Sequence, residues 1–453
     1  MDRTIHVILK PLRRFAIQKP NASSLLFLAM VVAMILANSP WADRYHLLLA
    51  FPVDLHAGQF SFFSHHGEPM SMLAFVNDAL MAVFFFVIGL EIKQEVLIGE
   101  LSSPRKALLP IVAACGGMIV PVVCYLLVCS SAPEVNGAAI PMATDIAFAL
   151  AVLGLLGKRV PLSMRIFLTA LAVVDDIGGI IIIALFYSGS IAFEPLLLSL
   201  VILAGLYAGG KLRIHYPLFF YVGGFIVWLL FLESGIHPTI AGVLVAFTVP
   251  ARPVLKLDDF ASEMNGYIGM LDASEVKHSP KAQVLTGQQI QVLNNIHTLA
   301  DKTISPLQTI ADKLHPWVNY VILPLFAFVN AGVTFGDIEP QTLLNVPLAV
   351  FLGLFIGKAL GIFSFSYLFA CTPWASMPQG MSKRNLLGVS MLGGIGFTVA
   401  LFIANLSFDT TSAAGVDLLN QAKLGVFVGS FVSGVVGYFI LRKVLPKTEL
   451  INN

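Results

Sequence analysis

Apolar residues cluster along this chain into runs long enough to cross a bilayer, which takes about 20 residues of helix. Set against turn and charge signals, the runs predict spans near 23–39, 71–92, 107–129, 139–156, 162–187, 192–210, 214–232, 236–250, 316–333, 342–370, 385–406 and 417–441, twelve in number. The expected fold is therefore an all-α polytopic membrane protein with about 12 transmembrane helices.

The connecting segments orient these helices. With the N-terminus inside, the inner segments hold Lys93, Arg105 and Lys106, then Lys158, Arg159 and Arg165, Lys211 and Arg213, Lys383 and Arg384, and Arg442, Lys443 and Lys447. The outer segments hold acids instead, namely Asp43, Asp54, Glu134, Glu194, Glu233, Asp337, Glu339 and Asp409, with Arg44 and Lys423 as exceptions. Basic residues stay on the cytoplasmic side of a membrane, and the alternation holds through every loop. A miscounted helix would invert it. Both termini are expected inside, residues 1–22 and 442–453, flanking transmembrane regions 23–250 and 316–441. Arg3, Lys10, Arg13 and Arg14 before the apolar stretch Ser24–Ala37 resemble a signal peptide; an uncleaved signal-anchor is expected, since cleavage would discard the first of many spans.

Two connections exceed a turn. The periplasmic segment 40–70 contains two strand-like stretches around Ala57-Gly58, a small β-hairpin. Residues 251–315 form a polar cytoplasmic insertion, helical in spacing from Gln283 to Leu314 (Val292, Ile296, Leu299, Ile304, Leu307, Ile310, Leu314). The insertion reads as a solvated helical insert without chemistry, with a regulatory or docking role as the alternative.

Composition agrees. Hydrophobic residues make up 57% of the 453 and charged residues 12%, about half the charge of an ordinary globular sequence. A net charge of +1 gives no sign of a nucleic-acid partner. Cys115, Cys124, Cys129 and Cys371 lie in or beside apolar runs without metal spacing, and read as small core residues rather than a disulfide framework.

Four charges stand where a membrane core should have none: Asp145, Asp175, Asp176 and Lys358. Each costs at least about 2.5–3.5 kcal/mol at the centre of a span, which makes it a functional candidate. Asp175 and Asp176 are the fourteenth and fifteenth residues of the 162–187 span, close to the midplane and about 100° apart around the helix, so both can reach one cavity. Two unpaired anions there would be prohibitive, so at least one is protonated, paired or bound to a cation. A small hard cation such as Na⁺ or Li⁺ favours the same oxygens as a proton. Competition of the two for one carboxylate pair is antiport in its simplest form.

Asp145 lies in a short span interrupted by Pro141, and a second interrupted segment holds Gly393, Gly394 and Gly396. Paired, interrupted helices in the two halves of a transporter point to its binding site. At each break, half-helices present positive N-terminal and negative C-terminal ends. Asp145 suits the positive ends; Lys358 suits the negative ends or an aspartate partner. Ordinary packing against glycine is the rival explanation of each break.

Seven motifs resemble the NhaA family of sodium/proton antiporters: FFFVIGLEIKQE (84–95), ATDIAFALAVLGLLG (143–157), ALAVVDDIGGI (170–180), SGIHPTIAGVLVAF (234–247), LHPWVNYVILPLFAFVNAGV (314–333), GKALGI (357–362) and GGIGFTVALFIANLSF (393–408). They run in order over the whole chain outside the insertion. The resemblance implies inverted-topology repeats, spans three to five against ten to twelve, with broken helices four and eleven crossing at mid-membrane. It implies that Asp175 and Asp176 hold cation and proton, Asp176 as the direct Na⁺ ligand. Asp145 balances charge at the crossing, Thr144 is an oxygen ligand there, and Lys358 compensates the crossing and pairs with Asp175. Exchange in the family is electrogenic: it extrudes Na⁺ or Li⁺ against more than one proton, with no cofactor, in the bacterial inner membrane amid its lipid. A homodimer through residues 45–63 is implied too. Glu91, Lys93 and Glu95 fit a pH-responsive cluster at the cytoplasmic mouth, and His237 matches a histidine associated with pH response, beside its reading as a polar helix-end residue. This chain departs from the family at Gln94, where an arginine is expected, and at Ala311 and Asp312, where Glu and His are frequent. Those departures touch the pH set-point and not the exchange.

Three rivals remain. A sodium-coupled organic-solute symporter would want a roomy polar cavity. An intramembrane aspartyl protease would show Gly-x-Gly-Asp, of which Thr334-Phe335-Gly336-Asp337 is the nearest echo. A channel or sensor fits broken helices with balanced charge less well than alternating access does.

Overall fold

The protein is described by a computed structural model covering residues 22–446, except 55, 58–59, 66–67, 190, 273–284, 335–341, 374–376, 379 and 410–411. The basic N-terminal stretch of the expected signal-anchor, the outer acids Asp337 and Glu339, and Lys447 lie outside the described residues.

Helices form wherever the apolar runs predict them, because a backbone in lipid must satisfy its own hydrogen bonds. Helix α1 (Ala22–Ala37) turns by 119° into the short α2 (Ala42–Leu49). Five short strands follow: β1 (Pro52–Val53), β2 (His56–Ala57), β3 (Phe60–Ser61), β4 (Ser64–His65) and β5 (Glu68–Ser71). All pair antiparallel, β1 and β4 on either side of β5, and β2 with β3. Then come α3 (Met72–Ile98), α4 (Pro104–Leu126), a 3₁₀ helix at Glu134–Met142, α5 (Ile146–Gly154), α6 (Leu162–Phe186), α7 (Phe193–Lys211), α8 (Pro217–Ser234) and α9 (Thr239–Thr248). The insertion contributes α10 (Leu257–Asp272) and α11 (Gly287–Thr303). Helix α12 runs Pro306–Trp317 and, through a π-helical turn at Val318–Ile322, continues over Leu323–Asn330. The chain closes with α13 (Thr342–Ala370), α14 (Lys383–Gly393), α15 (Phe397–Ser407) and α16 (Ala413–Val444).

Among the described residues seven helices are long and apolar enough to span a membrane, and up to ten spans result if each bent pair is one. The runs at 236–250 and 316–333 are carried by the shorter α9 and by the last part of α12. The chain is a multi-pass membrane protein.

Three local readings of the sequence are revised. The helical spacing from Gln283 to Leu314 covers two helices, because Ser305 caps a new one with Pro306 in its first turn. Helix α12 therefore begins inside the assigned insertion, and its Pro306, Leu307, Ile310 and Ala311 are buried in a core shared with α3, α8 and α9. Lys423, read as an outer loop charge, is buried within α16. Among the cysteines, Cys129 is buried, Cys115 and Cys124 are half-buried and Cys371 is exposed; all four are free.

Close packing sets the site. Helix α4 lies against α13 where Gly116 and Gly361 face each other; a Cβ on Gly361 would collide with the Gly116 carbonyl. That approach brings Lys358, just after a π-helical turn at Gly353–Gly357, into the interior.

Candidate cation and proton site

Two broken helices meet at the middle of the bundle. The 3₁₀ helix and α5 are bent by 43° across Ala143–Asp145, and α14 and α15 by 44° across Gly394–Gly396. Pro141 sits inside the 3₁₀ helix, so the interruption falls just after it. The two extended stretches touch: Asp145 N donates to the Ile395 carbonyl at 2.6 Å. A Cβ on Gly396 would stand 2.8 Å from the Ala143 carbonyl oxygen, too close for any residue but glycine without a shift.

The loose helix ends are neutralised by sign. Asp145 caps α5, where Oδ1 accepts from Phe148 N at 3.1 Å. Its Oδ2 accepts from Thr398 N at 3.0 Å and Thr398 Oγ1 at 2.7 Å, so one carboxylate serves the N-terminal ends of both α5 and α15. At the opposite ends, Thr144 Oγ1 donates to the Gly393 carbonyl at 2.9 Å, and Lys358 Nζ donates to the Met142 carbonyl.

Lys358, fully buried, also forms an ion pair with Asp175 Oδ2 at 2.6 Å. The other oxygen, Asp175 Oδ1, is buried with no hydrogen-bond partner. A buried carboxylate oxygen without a donor is costly unless it carries a proton or meets a cation. Asp176, one residue on, faces a cavity of about 70 Å³ whose polar lining includes Glu91, Thr144, Asp145, His315, Asn319 and Thr398. The 100° between adjacent helix positions thus separates the two acids: Asp175 turns to Lys358 and Asp176 to the cavity. Among the described residues no donor reaches the Asp176 carboxylate. Glu91, Asp145 and Asp176 thus line one cavity, and Asp175 pairs with Lys358 beside it. No group of three or more acids, His or Cys converges as a cage for a resident metal among the described residues.

The sequence model of the family described as "Na+/H+ antiporter 1" matches residues 13–441. The chain belongs to the NhaA family of Na⁺/H⁺ antiporters. It is 84% identical over 450 residues to the Na(+)/H(+) antiporter NhaA of Parabacteroides distasonis, covering 99% of each protein. It is 50% identical to that of Bacteroides fragilis, over 97% of this chain and 99% of the relative. To the Na(+)/H(+) antiporter NhaA 2 of Syntrophotalea carbinolica it is 40% identical over 98% of each. NhaA antiporters are transporters and not enzymes, and Na⁺ and H⁺ are the ions the family exchanges.

On this NhaA chain the residues with an expected pH role are dispersed. Glu91 lines the cavity, its Oε1 3.3 Å from His315 Nε2. Lys93 instead caps the end of α9, donating to Phe247 O at 2.7 Å and Val249 O at 2.5 Å. Glu95 accepts from Glu100 N at 2.7 Å in the turn after α3. His237 is half-buried and away from the cavity, with Nε2 3.7 Å from Asp78 Oδ1, Nδ1 2.8 Å from Thr239 Oγ1 and its ring against Phe402. Sequence reasoning passed over Thr398, Asp78 and the pairing role of His315. An acid inside the run FVNDALMAVFFF was the available signal for Asp78; nothing marked Thr398 before the crossing was known.

Proposed function

We propose that this protein is an electrogenic Na⁺(Li⁺)/H⁺ antiporter in which cation and protons compete for Asp175 and Asp176 by alternating access. The carrying observation is the pair of unsatisfied carboxylates: Asp175 Oδ1 buried without a partner, and Asp176 bare in a cavity beside it. Na⁺ entering the cavity meets Asp176, with Thr144 and water as further oxygen ligands. The proton of Asp176 leaves as Na⁺ binds, and Na⁺ draws Asp175 toward it as well, so that the hold of Asp175 on Lys358 weakens and the ammonium can lose a second proton. Protons arriving from the other side restore the Asp175–Lys358 pair and the neutral Asp176. Two proton-accepting groups against one monovalent cation give more than one proton per Na⁺. The cargo carries the chemistry, and no cofactor takes part.

A cavity of about 70 Å³ suits a partly hydrated ion. Sites for organic ligands occupy roughly 300–1,000 Å³, which disfavours a solute symporter. The packing of α4 on α13 and the two crossing broken helices support inverted repeats within twelve spans. The alternation of basic and acidic loops supports an inner-membrane orientation with cytoplasmic termini and a cytoplasmic insertion. Residues 45–63, which include the short antiparallel strands β1, β2 and β3, are the surface on which two copies would pair as a dimer at the periplasmic face.

The test is ΔpH in everted vesicles. Addition of Na⁺ or Li⁺ without any organic solute should collapse the gradient, K⁺ should not, and Asp176→Asn should abolish the response while membrane insertion persists. Wild-type rates in both Asp176→Asn and Asp175→Asn would overturn the site.

A further inference from the structure

The way from Asp176 to the face opposite its cavity is shut by contacts that none of the roles above uses. The cavity runs from Asp176 toward Glu91 and His315. In the other direction three helices continue side by side: the start of α3, the end of α12 and α15. Their aromatic rings meet first. Phe402, fully buried, lies 5.5 Å from Phe85 and 6.3 Å from Phe326 between ring centroids. About one helical turn further out, Asn330 follows Phe326 and Asn405 follows Phe402; Asn405 reaches Asn330, and Asn330 in turn reaches Asn77, which stands in a π-helical turn at Phe75–Leu80.

The three amides interlock. Asn330 Nδ2 donates to Asn77 Oδ1 at 2.8 Å, and Asn77 Nδ2 returns a bond to Asn330 Oδ1 at 3.3 Å. Asn405 Nδ2 donates to the same Asn330 Oδ1 at 2.8 Å. The second Asn330 bond goes to the Phe326 carbonyl at 2.9 Å, so its amide fills all four positions it has, two donors and two acceptors. Asn330 is wholly buried.

The partners belong to different bodies. Asn405 rides on α15, whose first turn is tied to the site through Thr398 and Asp145. Asn77 and Asn330 sit on helices outside both broken pairs, helices that supply the cavity's other wall. Opening the Asp176 side opposite the cavity requires α15 to part from α3 and α12, and this triad is a polar contact that joins α15 to α12 and α12 to α3.

We propose that Asn77, Asn330 and Asn405 form a latch, with Asn330 as its hub, that closes the far side of the ion site while the Glu91 side is open and that must release in every transport cycle. The proposal rests on the alternating-access reading above. Amide contacts between membrane helices are weak enough individually to break in a working cycle and oriented enough to define one closed state. Asn330 and its partners are positioning residues; they touch no ion.

The test locks and then weakens the latch. With the four native cysteines replaced by Ser, Asn330→Cys and Asn405→Cys are introduced together and bridged with mercuric ion. Exchange in vesicles should be lost on bridging and return with dithiothreitol, whereas binding of ²²Na⁺ to the bridged, purified protein should persist, because the cavity side stays open. A static structural contact predicts full exchange with the bridge in place, and that result overturns the latch; so does a failure of the two thiols to be bridged at all. In the second arm, Asn405→Ala removes one strut. It should raise the KM for Na⁺ presented at the cavity face, since less of the protein rests in the cavity-open state. An unchanged KM also counts against the proposal. Asp176→Asn in the same vesicles separates the two readings: its continued exchange would sink the ion site and leave the bridging result standing.

Discussion

Asp145 and Lys358 divide one task by sign. The carboxylate takes three hydrogen bonds from the N-terminal ends of α5 and α15, and the ammonium takes the C-terminal end of the 3₁₀ helix at Met142 together with Asp175. Asp145→Ala leaves Phe148 N and Thr398 N without an acceptor in a buried crossing. It should destabilise the protein by about 2–4 kcal/mol, a cap loss plus charged hydrogen bonds. A thermal melt checks this: Asp145→Asn, which keeps an acceptor, should melt above Asp145→Ala and retain part of the exchange rate. If both variants melt with the wild type, Asp145 does not hold the crossing. Gln94 belongs to the same scale. It replaces an expected arginine one turn from Glu91, so Gln94→Arg should shift the pH profile of exchange, and an identical profile would remove Gln94 from any role in pH response. Asp145, Asp175, Asp176 and Lys358 were legible in the sequence because a charge inside an apolar run has few structural excuses. Thr398 was not, since a threonine in a membrane helix ordinarily bonds its own backbone, and only the fold brings it to Asp145.

At the scale of elements, the crossing depends on backbone approach. Gly396→Ala would push a methyl against the Ala143 carbonyl and should cost about 1–3 kcal/mol, read as loss of folded yield. Gly266→Ala, in α10, meets nothing within 4 Å and is the neutral control. Equal yields from both variants would mean that the crossing tolerates a side chain. Apolar runs fixed where most helices lie, and the glycines of 393–396 marked the second break. The bend of α1 into α2, the start of α12 at Pro306 and the three π-helical turns were not readable. Each depends on packing against helices distant in sequence, whereas hydropathy reports only how a segment partitions from water.

For the whole molecule, the insertion begins and ends at one place. Val254 N and Leu255 N both bond the Lys302 carbonyl, at 3.1 and 3.0 Å, which brings the two ends of the α10–α11 segment together. Replacing residues 257–301 by a short glycine-serine turn should therefore leave α12 seated and exchange intact, because loop closure across touching ends is cheap. Lost exchange with normal membrane insertion would assign the segment a part in transport. The Pro306–Ala311 turn must stay, being buried in the core with α3 and α9.

The central claim is that sodium and protons exclude each other at one buried acid pair. Calorimetric titration of Na⁺ into the purified protein, repeated in buffers of different ionisation enthalpy, counts the protons set free by each ion bound. Proton release on Na⁺ binding, absent in Asp176→Asn, is the predicted result. Sodium that binds with no proton release, or binds unchanged to Asp176→Asn, would contradict the account.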